Sequence, residues 1–104
     1  MPCDITWMPN AINSYIKIIR YLQTNWTQKE IDKFQLLAEE KILNISNHPH
    51  LGVARNYKNP DVRYTLIHRR VALIYKHNQD KKSIELLLFW NTSQNPKRIK
   101  KLFE

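Results

Sequence analysis

The spacing of the apolar residues changes near the middle of the chain, and this change constrains the fold more than any other feature. From Ile12 to Leu22, and again from Ile31 to Ile45, apolar side chains recur at three- and four-residue steps, which predicts two amphipathic helices. After residue 61 the step becomes two, which is typical of β-strands. We therefore expect an α+β fold in which a helical half precedes a sheet.

The helical half should begin with a short strand over residues 3–7 and a first helix that starts at Pro9. Proline suits a first helical turn, where the amide hydrogen that it lacks would have no partner. The segment from Thr27 to Glu30 (Thr-Gln-Lys-Glu) has the pattern of a capping box, so a second helix should begin there and continue to Pro49. The short connection between the two helices predicts a helical hairpin.

The second half predicts three strands, at residues 62–67, 70–76 and 83–90. The third is apolar on both faces apart from Glu85, which indicates a central strand that is covered on both sides. We therefore predict an α+β fold in which an N-terminal strand and a helical hairpin pack on a small antiparallel β-sheet. The expected parts of this single domain, residues 1–104, are the strand and hairpin in 1–48, an antiparallel β-meander in 62–91 and a basic tail in 92–104.

The register between the first two of these strands decides which side chains share a face. If His68 and Arg69 form a two-residue loop, Arg63 lies opposite Ile74. One face of the pair then faces the core and carries Val62, Tyr64, Leu66, Val71, Leu73 and Tyr75. The other face is half basic and carries Arg63, Thr65, Ile67, Arg70, Ala72, Ile74 and Lys76. We therefore expect a basic sheet surface on the side away from the helices.

The net charge of +8 is confined to one half of the chain. Residues 1–52 hold five basic and five acidic side chains, whereas residues 53–104 hold twelve basic and four acidic ones. A basic half of this kind indicates a polyanionic partner, such as nucleic acid, the ribosome or an acidic protein segment. A lysine-rich surface that serves only solubility is the alternative.

Few residues could hold a cofactor or a metal ion. The single glycine, Gly52, argues against glycine-rich phosphate loops, which need several glycines at fixed spacing. Cys3 is the only cysteine, and His48 and His50 have no third ligand near them in the sequence, so we expect no metal site.

The start of the chain lacks the pattern of a signal peptide, and the longest apolar run, residues 86–90, is too short to cross a bilayer. We expect a cytoplasmic protein with no cofactor and no membrane partner.

Several short motifs occur in order along the chain. They are Trp7 followed by Ala11, Ile16 and Tyr21-Leu22, the corner Pro49-His50-Leu51-Gly52, Arg63 at the start of a strand, the strand Leu73-Ile74-Tyr75-Lys76, and Asn95-Pro96. Together with the order of helices and strands, this set resembles the RelE/ParE superfamily, the toxins of type II toxin–antitoxin systems of the plasmid-stabilisation type. The resemblance covers nearly the whole chain.

The resemblance implies a growth-arresting toxin that a cognate antitoxin neutralises in a hetero-oligomeric complex. Two activities occur on this fold: RelE-like members cut mRNA in the ribosome, and ParE-like members inhibit DNA gyrase by binding. RelE-like members carry an arginine where this chain has Ala72, and basic or aromatic catalytic groups where it has residues 91–94 (Asn-Thr-Ser-Gln). We therefore expect the ParE-like activity, with a ribosome-dependent mRNA endonuclease as the alternative. A small nucleic-acid-binding protein without toxicity is a third possibility.

The resemblance and the charge pattern also give candidate site residues. If the chain is an endoribonuclease, the candidates for catalysis are His68, Arg63 and Arg70. The candidates for contact with the target or with nucleic acid are Arg55, Lys58, Arg63, Arg70, Lys76 and Arg98. The candidates for antitoxin binding are the apolar Leu36, Leu37, Leu43, Ile99 and Phe103. Three further side chains, Tyr64, Tyr75 and His77, are expected to pack in the core.

Overall fold

The structure, a computed structural model, describes residues 2–54, 59, 61–68 and 70–91. Along the chain these residues form β1 (Asp4–Trp7), α1 (Pro9–Asn25), α2 (Gln28–Asn47), β2 (Val62–His68), β3 (Val71–Asn78) and β4 (Ser83–Asn91). The two helices pack against one face of a four-stranded sheet. This arrangement confirms the predicted α+β class and the predicted order of helices and strands.

The helices begin where the sequence predicts. Pro9 occupies the first turn of α1. At the start of α2, the Thr27 hydroxyl accepts a hydrogen bond from the Glu30 amide at 3.3 Å, and the Glu30 carboxylate accepts one from the Thr27 amide at 3.3 Å. This reciprocal pair is the predicted capping box, and it gives partners to two amides that the helix itself cannot satisfy.

The sheet has the strand order β1-β4-β3-β2, so β4 is central, as predicted. β2, β3 and β4 form an antiparallel meander, and β1 joins β4 in parallel, with Asp4 beside Ser83 and Trp7 beside Leu86. The complete sheet is therefore mixed, whereas the sequence led us to expect an antiparallel one. A parallel pair needs a long connection, and the hairpin and the other strands, which lie between β1 and β4 in the chain, supply it.

After β1 ends, residues at and within the start of helix α1 bond to the same edge of β4 that β1 pairs with. The amide of Met8 donates to the carbonyl oxygen of Leu86 at 3.1 Å, just beyond the end of β1. Further along β4, the amide of Phe89 donates to the hydroxyl of Ser14 at 2.9 Å. Ser14 therefore satisfies a main-chain amide that β1 is too short to reach, as partly buried main-chain donors require.

The predicted register between β2 and β3 is wrong by one residue. Arg63 lies opposite Tyr75 and not opposite Ile74, and a β-bulge between Leu66 and His68 takes up one residue near the turn. A slip of one residue moves every side chain of a strand to the other face. β2 is therefore reversed relative to the prediction. Its helix-side residues are Arg63, Thr65 and Ile67, and its far-side residues are Val62, Tyr64 and Leu66.

The face of the sheet away from the helices is apolar, and not basic as predicted. A second apolar cluster lies there, formed by Val62, Ile74 and Trp90 with Tyr64, Leu87 and Leu88 packed against it. The main cluster, on the helix side, includes Leu22, Phe34, Leu73, Tyr75, Leu86 and Phe89. Both faces of the sheet therefore hold buried apolar residues, and the described strands present no basic face.

Some predicted site residues lie outside the described residues. They are Arg55, Lys58, Arg98, Ile99 and Phe103, together with the rest of the predicted tail over 92–104 and Arg69 of the predicted loop. Their roles stay predictions. Among the described helices, neither is long and apolar enough to span a membrane.

Candidate functional site

The corner at residues 49–52, which follows α2, is held by the side chain of Tyr75 in β3. The Gly52 amide donates to the Tyr75 hydroxyl at 2.8 Å, and that hydroxyl donates to the Pro49 carbonyl oxygen at 2.8 Å. Tyr75 is fully buried, as the sequence predicted. Burial raises the pKa of Tyr75, against smaller opposing effects from the Gly52 hydrogen bond and from Arg63. The hydroxyl therefore stays protonated and is committed to holding the corner.

Gly52 is required here by the close approach of its neighbours. A Cβ atom at this position would lie 2.6 Å from the Tyr75 hydroxyl oxygen and 3.0 Å from the Tyr64 carbonyl oxygen. Both distances are shorter than van der Waals contact. The carbonyl oxygen is a main-chain atom of β2, so it cannot move aside as the end of a flexible side chain can. Val53, the next residue, pairs with Tyr64 through two main-chain hydrogen bonds. The only glycine of the chain therefore marks the place where the corner joins the sheet.

Arg63 forms a further contact with the corner. Its Nη1 donates to the carbonyl oxygen of Gly52 at 2.7 Å, and the side chain is partly buried. The guanidinium therefore lies on the helix side of the sheet, near Tyr75, and not on the open basic face that the sequence predicted. This position follows from the one-residue difference in register.

A buried histidine, His77, lies near the same corner, in the core as predicted. Its Nε2 is 4.0 Å from the Sγ of Cys3, and its ring meets that of His50 edge-on with centroids 5.2 Å apart. Burial lowers the pKa of His77, and nearby His50 and Arg63 lower it further; Asp61 opposes them. The imidazole is therefore mostly neutral at pH 7. In the part of the chain that the structure describes, no three histidine, cysteine or carboxylate side chains form a group able to hold a metal ion.

Two grooves adjoin each other at the turn between α1 and α2, and we call them the paired grooves. Trp26 and Arg70 line both of them. The larger groove, of about 520 Å³, is also lined by Glu30, Lys33, Phe34, Leu37 and His68. The smaller groove, of about 350 Å³, is also lined by Lys17, Ile18, Tyr21, Leu22, Val71 and Asn91. Apolar lining residues and cationic side chains therefore occur side by side in the paired grooves.

The structure brings together two of the three predicted catalytic candidates. His68 and Arg70 line the larger groove, whereas Arg63 lies at the corner. His68 packs edge-on against Trp26, with ring centroids 5.2 Å apart. The three candidates therefore do not form a single site.

Arg70 immediately precedes β3, whereas Lys76 lies near the far end of that strand. Lys76 lines a separate polar groove together with Asp61, Asn78, Gln79 and Asp80. A strand rises by about 3.3 Å per residue, so roughly 20 Å of strand separates the two cations. Arg63, Arg70 and Lys76, which the sequence predicted as one basic cluster, are therefore three separate cations, because the register and the strand length place them apart.

The three leucines proposed for antitoxin binding also divide between two places. Leu36 and Leu43 are 54% and 62% exposed. They are seven residues apart, so they share one side of α2. Leu37 is partly buried, packs against the main core and lines the larger groove. The leucines therefore do not form one continuous strip.

A family of known toxins matches most of the chain, including the corner and the paired grooves. Residues 5–96 match the family described as ParE toxin of type II toxin–antitoxin system, parDE. The chain belongs to this ParE toxin family. A search among curated proteins finds no match. The protein is therefore the toxin of a type II toxin–antitoxin module, and its partner is an antitoxin.

Sequence reasoning missed the two features that organise the surface of this toxin. The Tyr75–Gly52 contact joins a strand centre to a corner, and only the solitary glycine hinted that something approaches it closely. The paired grooves depend on Trp26 and Arg70, which are far apart in sequence. Trp26 was not among the candidate site residues, and Arg70 was placed on the wrong surface. No local pattern could have joined them.

Proposed function

We propose that this ParE-family toxin acts by binding DNA gyrase and not by cutting RNA. The observation that carries the proposal is the position of Tyr75, the tyrosine of the Leu-Ile-Tyr-Lys strand. Its hydroxyl is buried and is already bonded to Gly52 and Pro49, so it is withdrawn from any substrate. Cleavage of RNA by its own 2′-hydroxyl needs groups that transfer protons and stabilise the developing charge.

The other candidate groups support the same proposal. His77 is buried, and its lowered pKa keeps it from acting as a proton donor at neutral pH. The Arg63 guanidinium is bonded to a main-chain carbonyl oxygen. Ala72, which stands where RelE-like members carry an arginine, is fully buried. Among the described candidates for chemistry, only His68 and Arg70 share a groove.

The test compares two activities of one purified preparation. The toxin is expressed under tight induction without its antitoxin, and growth is followed; it is then added to a gyrase supercoiling assay and to a purified translation system. We expect growth arrest, inhibited supercoiling and intact mRNA. Toxin that is premixed with antitoxin is the control and should leave supercoiling unaffected. Codon-positioned mRNA cuts with normal supercoiling would contradict the proposal and favour the endonuclease activity.

We further propose that the antitoxin carries an acidic segment that folds on the toxin. The net charge of +8 supports this, because opposite charge on a partner speeds the encounter. Coupled folding buries much apolar surface, so calorimetry of the pair should show a large negative heat-capacity change. A small change with a prefolded, uncharged antitoxin would contradict the proposal.

A further inference from the structure

We infer that the paired grooves are the docking site for an acidic segment of the antitoxin, with an apolar side chain in the smaller groove and a carboxylate against Arg70. The inference concerns antitoxin recognition, and it rests on the proposed role of an acidic antitoxin segment. It does not depend on whether the toxin inhibits gyrase.

The smaller groove has the lining of an apolar side-chain pocket. Ile18, Tyr21, Leu22, Trp26 and Val71 contribute most of its walls. Its volume of about 350 Å³ lies near the small end of the range of roughly 300–1,000 Å³ for ligand sites. Tyr21 is 53% exposed at its edge, so an incoming side chain can bury an aromatic ring there. A pocket of this size suits side chains of a bound peptide.

The polar side chains of the paired grooves favour a partner that carries carboxylates. Lys17, Lys33 and Arg70 contribute three cations, and Glu30 is the single acidic side chain among the described lining residues. Arg70 is exposed, and no described residue forms a hydrogen bond or ion pair with it. A free guanidinium beside an apolar pocket can bind a carboxylate through two parallel hydrogen bonds. The site therefore combines one strong anion contact with an adjacent apolar anchor.

The same groups fit a nucleic acid less well. Single-stranded nucleic acids bind where exposed aromatic rings stack on the bases. Trp26 is only partly exposed and is packed edge-on against His68, so its ring is not an open stacking platform. Glu30 also lies in the larger groove, where it would repel a phosphate chain that runs through the groove. An acidic peptide needs only one carboxylate beside Arg70 and can keep its other carboxylates away from Glu30, whereas a nucleic acid carries a phosphate at every nucleotide.

Two substitutions test the paired grooves, and each has a matched control on α1. Arg70→Glu reverses the exposed cation, with Arg20→Glu as an exposed cation outside the grooves. Tyr21→Ser removes the exposed ring, with Ile12→Ser as an exposed apolar residue outside the grooves. The probe is the antitoxin encoded by the reading frame that adjoins the toxin gene. Its Kd for each folded variant is measured by calorimetry, and circular dichroism checks the fold.

We expect Arg70→Glu and Tyr21→Ser each to weaken antitoxin binding by at least about tenfold, and the two controls to stay within about twofold of the unchanged toxin.

Unchanged affinity in both groove variants would overturn the inference. So would a loss of affinity that appears only in a Leu36→Ser, Leu43→Ser double variant, since the antitoxin would then bind the outer side of α2. Binding of a single-stranded oligonucleotide that is lost in the groove variants while antitoxin binding persists would make the grooves a nucleic-acid site. A toxin that binds antitoxin through the grooves but leaves gyrase active would contradict the proposed function alone.

Discussion

The amide of Gly52 donates a 2.8 Å hydrogen bond to the hydroxyl of Tyr75, which ties the corner after the helices to the middle of the sheet. The same hydroxyl donates to the carbonyl oxygen of Pro49, and Arg63 donates to the carbonyl oxygen of Gly52. Three main-chain groups of a short corner therefore depend on two side chains from neighbouring strands. This dependence makes the corner sensitive to small changes that leave the apolar core intact.

Replacing Tyr75 by phenylalanine should destabilise the toxin by about 1–3 kcal/mol. The ring would still fill its place in the core, but the Gly52 amide and the Pro49 carbonyl would lose a buried partner. Urea denaturation of the purified variant measures the change. Tyr21→Phe is the control, because the Tyr21 side chain is 53% exposed, and its free energy of unfolding should stay within about 0.5 kcal/mol. Equal stability of both variants would mean that the corner does not need the hydroxyl.

Replacing Gly52 by alanine should destabilise the toxin by about 1–3 kcal/mol, because the added methyl group collides with Tyr75 and with the Tyr64 carbonyl oxygen. Thermal and urea unfolding measure the loss. Tyr75→Phe removes the nearest colliding atom. The double variant Gly52→Ala, Tyr75→Phe should therefore lose less free energy of unfolding than the two single variants lose in total. Strict additivity in the double-mutant cycle would show that Gly52 and Tyr75 do not act on each other.

Arg63→Met and Lys76→Met should differ in their effect on folding. Arg63 is partly buried and bonded to Gly52, so its loss should lower the free energy of unfolding by about 1–3 kcal/mol. Lys76 lines a polar groove at the surface, and its loss should cost no more than about 0.5 kcal/mol. The comparison uses urea denaturation together with the supercoiling assay. If Arg63→Met folds as stably as the unchanged toxin and fails to inhibit gyrase, Arg63 contacts the target and is not structural.

The stability of the toxin should fall as the pH drops below about 6.5, the usual pKa of histidine. The folded state holds the pKa of His77 below that value, through burial and the nearby His50 and Arg63. The unfolded chain therefore binds a proton there in a pH range where the folded chain does not, so the free energy of unfolding decreases until the pH reaches the folded pKa. In His77→Gln this part of the pH dependence should be absent, and in His48→Gln, an exposed control, it should remain. Parallel pH profiles for all three proteins would rule out His77 as the cause.

The sequence predicted what depends on local chemistry. The capping box at Thr27 and Glu30 sets the start of α2, since both partners lie within one helical turn. The apolar residues of β4 predict a central strand, because a strand that is apolar on both faces must be covered on both. Neither inference requires knowing which other part of the chain lies nearby.

The register of β2 could not be predicted in the same way. Both faces of the β2–β3 pair are largely apolar, so the alternation of side chains did not distinguish the true pairing from one displaced by a residue. The bulge between Leu66 and His68 leaves no signature in the sequence. The error placed Arg63 on the wrong face, and with it the proposed basic cluster. The candidate site changed more than the fold did, because a site depends on every register being correct.

The parallel pairing of β1 with β4 also sets when this toxin can be completed during its synthesis. Asp4 can pair with Ser83 only after Ser83 has been synthesised. The hydrogen bond from the Phe89 amide to the Ser14 hydroxyl forms later still. At about 5–20 residues per second, the roughly eighty residues in between take on the order of 4–16 s to translate. Until then the helical hairpin has only an incomplete sheet to pack on. The fold of a nascent chain therefore stays incomplete for several seconds, and during that time a partner that binds the helical hairpin meets it before the sheet has closed.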